Sequence, residues 1–200
     1  PGAPHEGAML IADYFRRRGL SGQVEIHLFT PESQPMPVAG PQLGEAVPSM
    51  VEYKGGEFPP PPKLAAVDAN AREMSFDNGV RTGYDLLVAV PPHRAPRAVV
   101  DAGLTNQAGW VPVNPRTLRT SQEGIYAIGD VTSIPIPGRW KPDVPLMLPK
   151  AGVFAHAQAE VAARRVVAEV TGQACEAAFC GDGYCMLEAG EDLAGFAFGN

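Results

Sequence analysis

The sequence predicts an α/β fold with a parallel sheet, and three stretches carry that reading. Residues 125–130, Ile-Tyr-Ala-Ile-Gly-Asp, place four apolar or aromatic residues before a glycine. They are too few for a helix and read as a short, fully buried strand running into a tight turn. Residues 84–90, Tyr-Asp-Leu-Leu-Val-Ala-Val, form the most apolar strand pattern and read as a central parallel strand, ended by Pro91-Pro92. Residues 150–169 give the longest helix pattern, rich in alanine and stopping at Thr171-Gly172.

Taken in order, residues 6–18 predict a helix with Ala8, Leu10, Ile11, Tyr14 and Phe15 on its apolar face. Glu6 lies near its start and Arg16-Arg17-Arg18 near its end, a charge placement that suits the helix dipole, and Gly19 stops it. Residues 24–30 alternate in character as a strand does. A helix leading into a strand reads as the tail of a βαβ unit whose first strand is missing. Residues 30–62 are rich in turns; a short helix is expected around 43–52, with Val51-Glu52-Tyr53 leading into another strand. The prolines at 59–62 are expected to form a polyproline II connector.

Residues 73–84 predict a β-hairpin, with Met74-Ser75-Phe76 and Val80-Arg81-Thr82 flanking the turn Asp77-Asn78-Gly79. On the long helix, Ala151, Val153, Phe154, Ala157, Val161 and Val166 predict one broad buried face. Residues 179–200 read as short strands alternating with glycine turns, with Phe196 and Phe198 on a period-two face.

Composition narrows the function classes. Hydrophobic residues make up 45% and charged ones 19%, ordinary for a globular protein. A net charge of −6, with no long Lys/Arg run, argues against a nucleic-acid partner. Glycine (22) and proline (21) punctuate apolar segments without forming a low-complexity tract, so the fold is loop-rich, not disordered. No apolar run reaches the roughly 20 residues of a membrane span. Cys175, Cys180 and Cys185 are too few for a disulfide framework, and their spacing is not that of a zinc site. No metal is expected. A cytoplasmic location follows as the default, with room for peripheral attachment at the inner face of the membrane.

The candidate site centres on Gly129 and Asp130. Gly129 has no Cβ and lets the backbone turn tightly beside a ligand. Asp130 falls at the carboxyl end of the expected strand, where open α/β sheets bind ligands. Its carboxylate only accepts hydrogen bonds, so a ribityl or ribose chain is a natural partner. On these residues alone, a structural Asp turn is an equal reading.

The wider pattern resembles a known family. Thr120, then after four residues the apolar run and Gly129-Asp130, is similar to the second flavin fingerprint of two-dinucleotide-domain flavoproteins. Residues 148–159, Leu-Pro-Lys-Ala-Gly-Val-Phe-Ala-His-Ala-Gln-Ala, resemble the segment that follows it in the sulfide:quinone oxidoreductase and flavocytochrome c sulfide dehydrogenase branch. Residues 1–6 and 181–190 add to the likeness, which runs over nearly the whole chain.

The resemblance implies an incomplete Rossmann-like fold that lacks the N-terminal FAD-pyrophosphate strand and its Gly-rich loop; no G-x-G-x-x-G occurs in the sequence. It implies residues 1–66 as the remainder of the second, NAD-like domain, 67–172 as the C-terminal part of the FAD domain and 173–200 as the start of a C-terminal domain. It implies FAD as cofactor, held by Gly129, Asp130, Val131, Lys150, Ala151 and Gly152. Asp130 would take the ribityl hydroxyls, while Lys150 and the helix start at Ala151-Gly152 would favour the anionic, reduced ring. Taken alone, Lys150 also reads as a solvated lysine at a helix start, and His156 as a packed or solvent-facing histidine or as a proton relay.

Sulfide oxidation in such enzymes needs two cysteines, and Cys185 is the candidate catalytic thiol, with a buried structural cysteine an equal reading. The implied reaction is two-electron transfer from a small donor such as sulfide, through FAD, to a quinone-type acceptor. The alternatives are an NADH-dependent reductase of the same fold, for which Glu32 is a weak ribose-binding stand-in, and an inactive fragment without bound cofactor.

Overall fold

A computed structural model describes residues 2–32, 46–49, 51–52, 56–57, 63–141 and 144–199. The chain divides into two compact units, residues 1–91 with 186–196 and residues 92–185 with 197–200. The expected polyproline segment lies outside the described residues.

The first unit opens with helix α1 (Ala3–Arg17), whose start is set by Pro4 at an early position that needs no N–H. Gly19 ends it in the left-handed conformation (φ 69°), and Leu20 N–H reaches back to the Phe15 carbonyl at 2.9 Å, closing a Schellman-type cap. The buried positions are His5, Met9 and Asp13, one turn apart, and not the predicted stripe. Tyr14 is 51% exposed. Its ring instead receives the Arg18 guanidinium, so the aromatic residue covers the helix end.

Met9 packs with Val47, Val51, Leu187 and Ala189 to form this unit's core. The expected strand at 24–30 is reduced to β1 (Ile26–His27), which pairs in parallel with β2 (Gly56–Glu57). Residues 46–49 and Val51-Glu52 are helical, in keeping with the short helix expected around 43–52, and Val47 and Val51 bury one face of it; Tyr53 lies outside the described residues, and β2 follows at Gly56.

Asp13 is buried within α1 and accepts hydrogen bonds from Arg16 (2.8 Å) and Arg17 (2.6 Å). The Arg16 hydrogen bond holds its carboxyl below the ordinary carboxylate range; burial pushes the other way, and Arg17 adds to the lowering. The sign follows from linkage. An acid whose folded-state pKa is depressed contributes stability above its unfolded-state value and loses it as pH falls through the folded-state value. Asp13→Asn is therefore expected to destabilise the protein at neutral pH, with the gap to wild type closing below about pH 4. Urea unfolding at pH 7 and pH 3 checks this.

The predicted hairpin is present as β4 (Glu73–Phe76) and β5 (Arg81–Gly83), antiparallel, with Gly79 at φ 83° in the turn. A third strand, β3 (Leu64–Asp68), pairs with β4. Met74 and Phe76 face inward, and the Phe76 ring lies 4.7 Å from that of Phe29. Residues 84–90 do not form the predicted central strand. Leu86, Val88 and Val90 are 81%, 69% and 52% exposed, and no described strand pairs with them. A parallel strand is stable only between hydrogen-bonded neighbours, which this segment does not have among the described residues.

In the second unit, α2 (Arg97–Asp101) precedes β6 (Val111–Pro112), which pairs in parallel with β7 (Thr132–Ser133). Residues 125–128 are not a fully buried strand: Ile125 and Ile128 are 40% and 38% exposed, and the segment's pairing is a single antiparallel bridge from Tyr126 to Arg119. β8 (Pro135–Lys141) and β9 (Val144–Met147) form an antiparallel ribbon.

Helix α3 (Gly152–Thr171) matches the predicted helix to within two residues and ends at left-handed Gly172 (φ 68°). Its buried face is Phe154, Gln158, Ala162 and Ala168, with Ala151, Val153, Ala157 and Val161 packed alongside. Val166, assigned to that face from sequence, is 43% exposed. Leu118, Ile134 and Phe179 complete the core. Leu118 is wholly buried at φ 63°, a conformation that costs a non-glycine residue about 1–2 kcal/mol, and burial of its side chain offsets the strain. The chain closes with two strands longer than expected, β10 (Gly183–Gly190) and β11 (Leu193–Gly199), joined through left-handed Glu191 and Asp192.

Candidate functional site

Thr120 shapes the approach to the Gly129-Asp130 turn. Its hydroxyl donates to the carbonyl of Ile125 (3.1 Å) and accepts from Gln122 N–H (3.1 Å), so residues 120–125 fold into a closed loop. The bridge between Arg119 and Tyr126 then directs the chain into Ile128 and a 3-10 turn, Gly129–Val131. Gly129 enters it at φ 70°, and a Cβ there would stand 3.4 Å from the Cβ of Ala155. The left-handed backbone angle is what favours glycine here, since the distance to α3 is ordinary van der Waals contact.

Two side chains lock the turn. Gln158, 1% exposed on α3, accepts the Gly129 N–H through Oε1 at 2.6 Å. Thr132 Oγ1 donates to the Gly129 carbonyl at 2.8 Å. The 3-10 geometry leaves the Asp130 N–H without an acceptor inside the turn. Asp130 itself is exposed, its carboxylate available to a hydroxyl-bearing ligand.

Lys150 comes from the loop between β9 and α3. Its ammonium donates to the backbone carbonyls of Asp130 and of Thr132, the latter at 3.3 Å, and lies 3.6 Å from the centre of the Trp110 ring. Though the residue as a whole is exposed, loss of water at the ammonium pushes its pKa below the ordinary lysine value, and the Asp130 charge opposes that shift. Gly129, Asp130, Lys150 and Ala151 thus line one recess, floored by Phe154 and Gln158. The arrangement offers a carboxylate acceptor and a fixed cation to one ligand.

The structure brings together Gly129, Asp130, Lys150 and Ala151. Val131 belongs to the same turn, and Gly152 begins α3 directly behind Ala151. Cys185 is not brought in: it is a half-buried free thiol on β10, outside the residues that line the recess. His156 is exposed on α3, with its imidazole 3.7 Å from Glu160. Glu32 lies 3.7 Å from the buried His5 and belongs to the first unit. Trp110, Thr132 and Gln158 were not singled out from sequence; the Gln158 amide at a helical position facing small residues is the one trace of them there. Among the described residues no group of His, Cys, Asp or Glu side chains could hold a metal ion, and no helix is long and apolar enough to cross a membrane.

Residues 8–163 match the family model for pyridine nucleotide-disulphide oxidoreductases. Among solved structures, the chain is similar to the sulfide:quinone oxidoreductase of Aquifex aeolicus, with a TM-score of 0.76 and 22% identity over 98% of this chain and 47% of that one. It is similar to an NAD-dependent persulfide reductase from A. fulgidus (TM-score 0.65, 18% identity, 94% of this chain and 33% of that one). The Bacillus anthracis protein CoADR-RHD also aligns (TM-score 0.60, 21% identity, 90% and 30%). The chain therefore spans less than half the length of each of these structures. At these identities the likeness establishes the dinucleotide-binding α/β fold.

Proposed function

Because this chain belongs to the pyridine nucleotide-disulphide oxidoreductase family, we propose that it supplies part of the FAD site of an oxidoreductase that moves two electrons from a small donor, sulfide, to a quinone-type acceptor. One observation carries the cofactor: the exposed Asp130 carboxylate and the Lys150 ammonium line the same recess, beside the left-handed Gly129 turn. These residues fit FAD. Asp130 would accept hydrogen bonds from ribityl hydroxyls, and Lys150 would face the electron-rich ring edge, reinforced by the positive end of α3 at Gly152. When bound, FAD supplies the two-electron redox chemistry. Lys150 would stabilise negative charge that accumulates on reduction, because its ammonium is already oriented and partly stripped of water.

Sulfide and quinone are supported by the likeness to the Aquifex sulfide:quinone oxidoreductase, which runs over 98% of this chain. On this reading residues 1–66 belong to the second dinucleotide domain, 67–172 to the FAD domain and 173–200 to the start of a third. A second reading, reduction by NADH, is supported by the likeness to the NAD-dependent persulfide reductase. Anaerobic addition of NADH and of sulfide to the flavin-loaded protein separates the two by which one bleaches the flavin.

The test of the cofactor assignment is an absorption titration with FAD, comparing wild type with Asp130→Ala. Hydrogen bonds to a charged group contribute about 1.5–3 kcal/mol, so the substitution is expected to weaken FAD binding about ten- to a hundred-fold. Equal affinities in the two proteins would remove Asp130 from the site. No retained flavin in this chain alone would favour the inactive-fragment reading, and no retained flavin in a longer protein that adds an FAD-pyrophosphate strand and Gly-rich loop would remove the proposal as a whole.

A further inference from the structure

We propose that Trp110 is a positioning residue: its indole face, together with two backbone carbonyls, fixes the Lys150 ammonium at the recess before any ligand arrives. An ammonium has three N–H bonds and no acceptor. Two point to the carbonyls of Asp130 and Thr132, and the remaining side of the ammonium meets the Trp110 ring, 3.6 Å from its centre. That distance is well inside the range in which a ring quadrupole attracts a cation, and tryptophan is the strongest of the aromatic partners.

Trp110 is itself held. The Asn106 side chain accepts N–H bonds from Ala108 (3.0 Å) and Trp110 (3.1 Å), and the Asn106 N–H donates to the Trp110 carbonyl at 2.7 Å. The Asn106 amide also reaches Ser133 Oγ at 3.4 Å. Ser133 lies on β7, which pairs with β6 directly after Trp110 and follows Thr132, one of the two residues whose carbonyls hold Lys150. The indole and the carbonyls therefore ride on one small scaffold, and the lysine is clamped between parts that do not move independently. A flexible lysine would lose rotamer freedom each time it met a ligand; here that ordering is already done.

The proposal rests on the flavin reading for its consequence but not for its existence, so its test has two arms. The chain has four lysines, which makes ¹³C-lysine NMR tractable. In the flavin-free protein, one set of ε-CH₂ proton resonances should be displaced upfield by the indole ring current and should vanish in Lys150→Arg. Trp110→Leu should return it to the position of the other lysines, while Trp110→Phe should keep part of the displacement. An undisplaced Lys150 resonance in wild type overturns the clamp.

In the flavin-loaded protein, Trp110→Leu is expected to reduce the preference for reduced over oxidised flavin about three- to ten-fold. It should have no further effect once Lys150→Met is in place. A loss of the same size with Lys150→Met already present would mean that Trp110 does not act through Lys150, and overturns the proposal. If the ring-current displacement is present but Lys150→Met leaves the flavin preference unchanged, the clamp stands and the flavin role of Lys150 falls.

Discussion

Phe154→Ala is expected to cost about 3–5 kcal/mol of unfolding free energy, the range for truncating a buried phenylalanine. The ring is 8% exposed and packs in the core of the second unit with Leu118, Ile134, Ala162 and Phe179. It also floors the recess at Asp130 and Lys150, so the substitution should loosen the site as well as the fold. Gly183 tests the same contact from the other side. A Cβ there would stand 2.1 Å from Phe154 Cε1, far inside van der Waals contact, so Gly183→Ala alone should destabilise by about 1–3 kcal/mol through overpacking. In the double variant the added methyl enters the space the ring has left. The two costs should then sum to more than the measured loss, and urea unfolding of the four proteins gives the coupling directly. Strict additivity would mean that Phe154 and Gly183 do not touch.

Gly190→Ala is the second large effect, and it falls in the first unit. Gly190 stands at φ 73°, and a Cβ there would lie 2.6 Å from the Asp13 Cβ. The left-handed backbone costs alanine about 1–2 kcal/mol. The clash has no cheap outlet either, since Asp13 is tied to Arg16 and Arg17 and cannot swing aside without breaking both hydrogen bonds. Together these predict a loss of about 2–4 kcal/mol. Gly195→Ala is the control: its Cβ would meet Leu187 at an ordinary 3.8 Å, and its stability should be close to wild type by thermal unfolding.

What could be read in the sequence depended on whether local chemistry or distant partners decide the structure. The hairpin at 73–84 and the C-terminal ends of both long helices were legible, because glycine and turn residues act on their own neighbours, whereas α1 starts at Ala3 and not at the expected Glu6. The face of α1 was not. Leu10 and Tyr14 look more apolar than His5 and Asp13, yet the latter pair are buried, Asp13 hydrogen-bonded by Arg16 and Arg17 and His5 with the Glu32 carboxylate 3.7 Å from its imidazole. Residues 64–68 gave no strand pattern because all five are exposed; they are ordered by hydrogen bonds to β4, not by burial.

Residues 84–90 and 125–128 failed in the opposite sense, for their apolar composition asks for neighbours that the described residues do not provide. At the site, Gly129, Asp130 and Lys150 stood out because their residue types are unusual where they occur. Trp110 and Gln158 did not, since a cation–π contact and a buried amide exist only once the chain has folded.

The bare segment at 84–90 also bears on how this polypeptide behaves in a test tube. Leu86, Val88 and Val90 alternate along it, and water wets most of their surface. An exposed apolar run of alternating residues is a surface on which a second molecule can add a strand. Asp85 at one end, and Pro91-Pro92 followed by Arg94 at the other, are the residue types that blunt such growth. Self-association through this segment is expected to rise with concentration and to be reversed by dilution, a light-scattering series being the check; the hydrophobic attraction itself weakens on cooling.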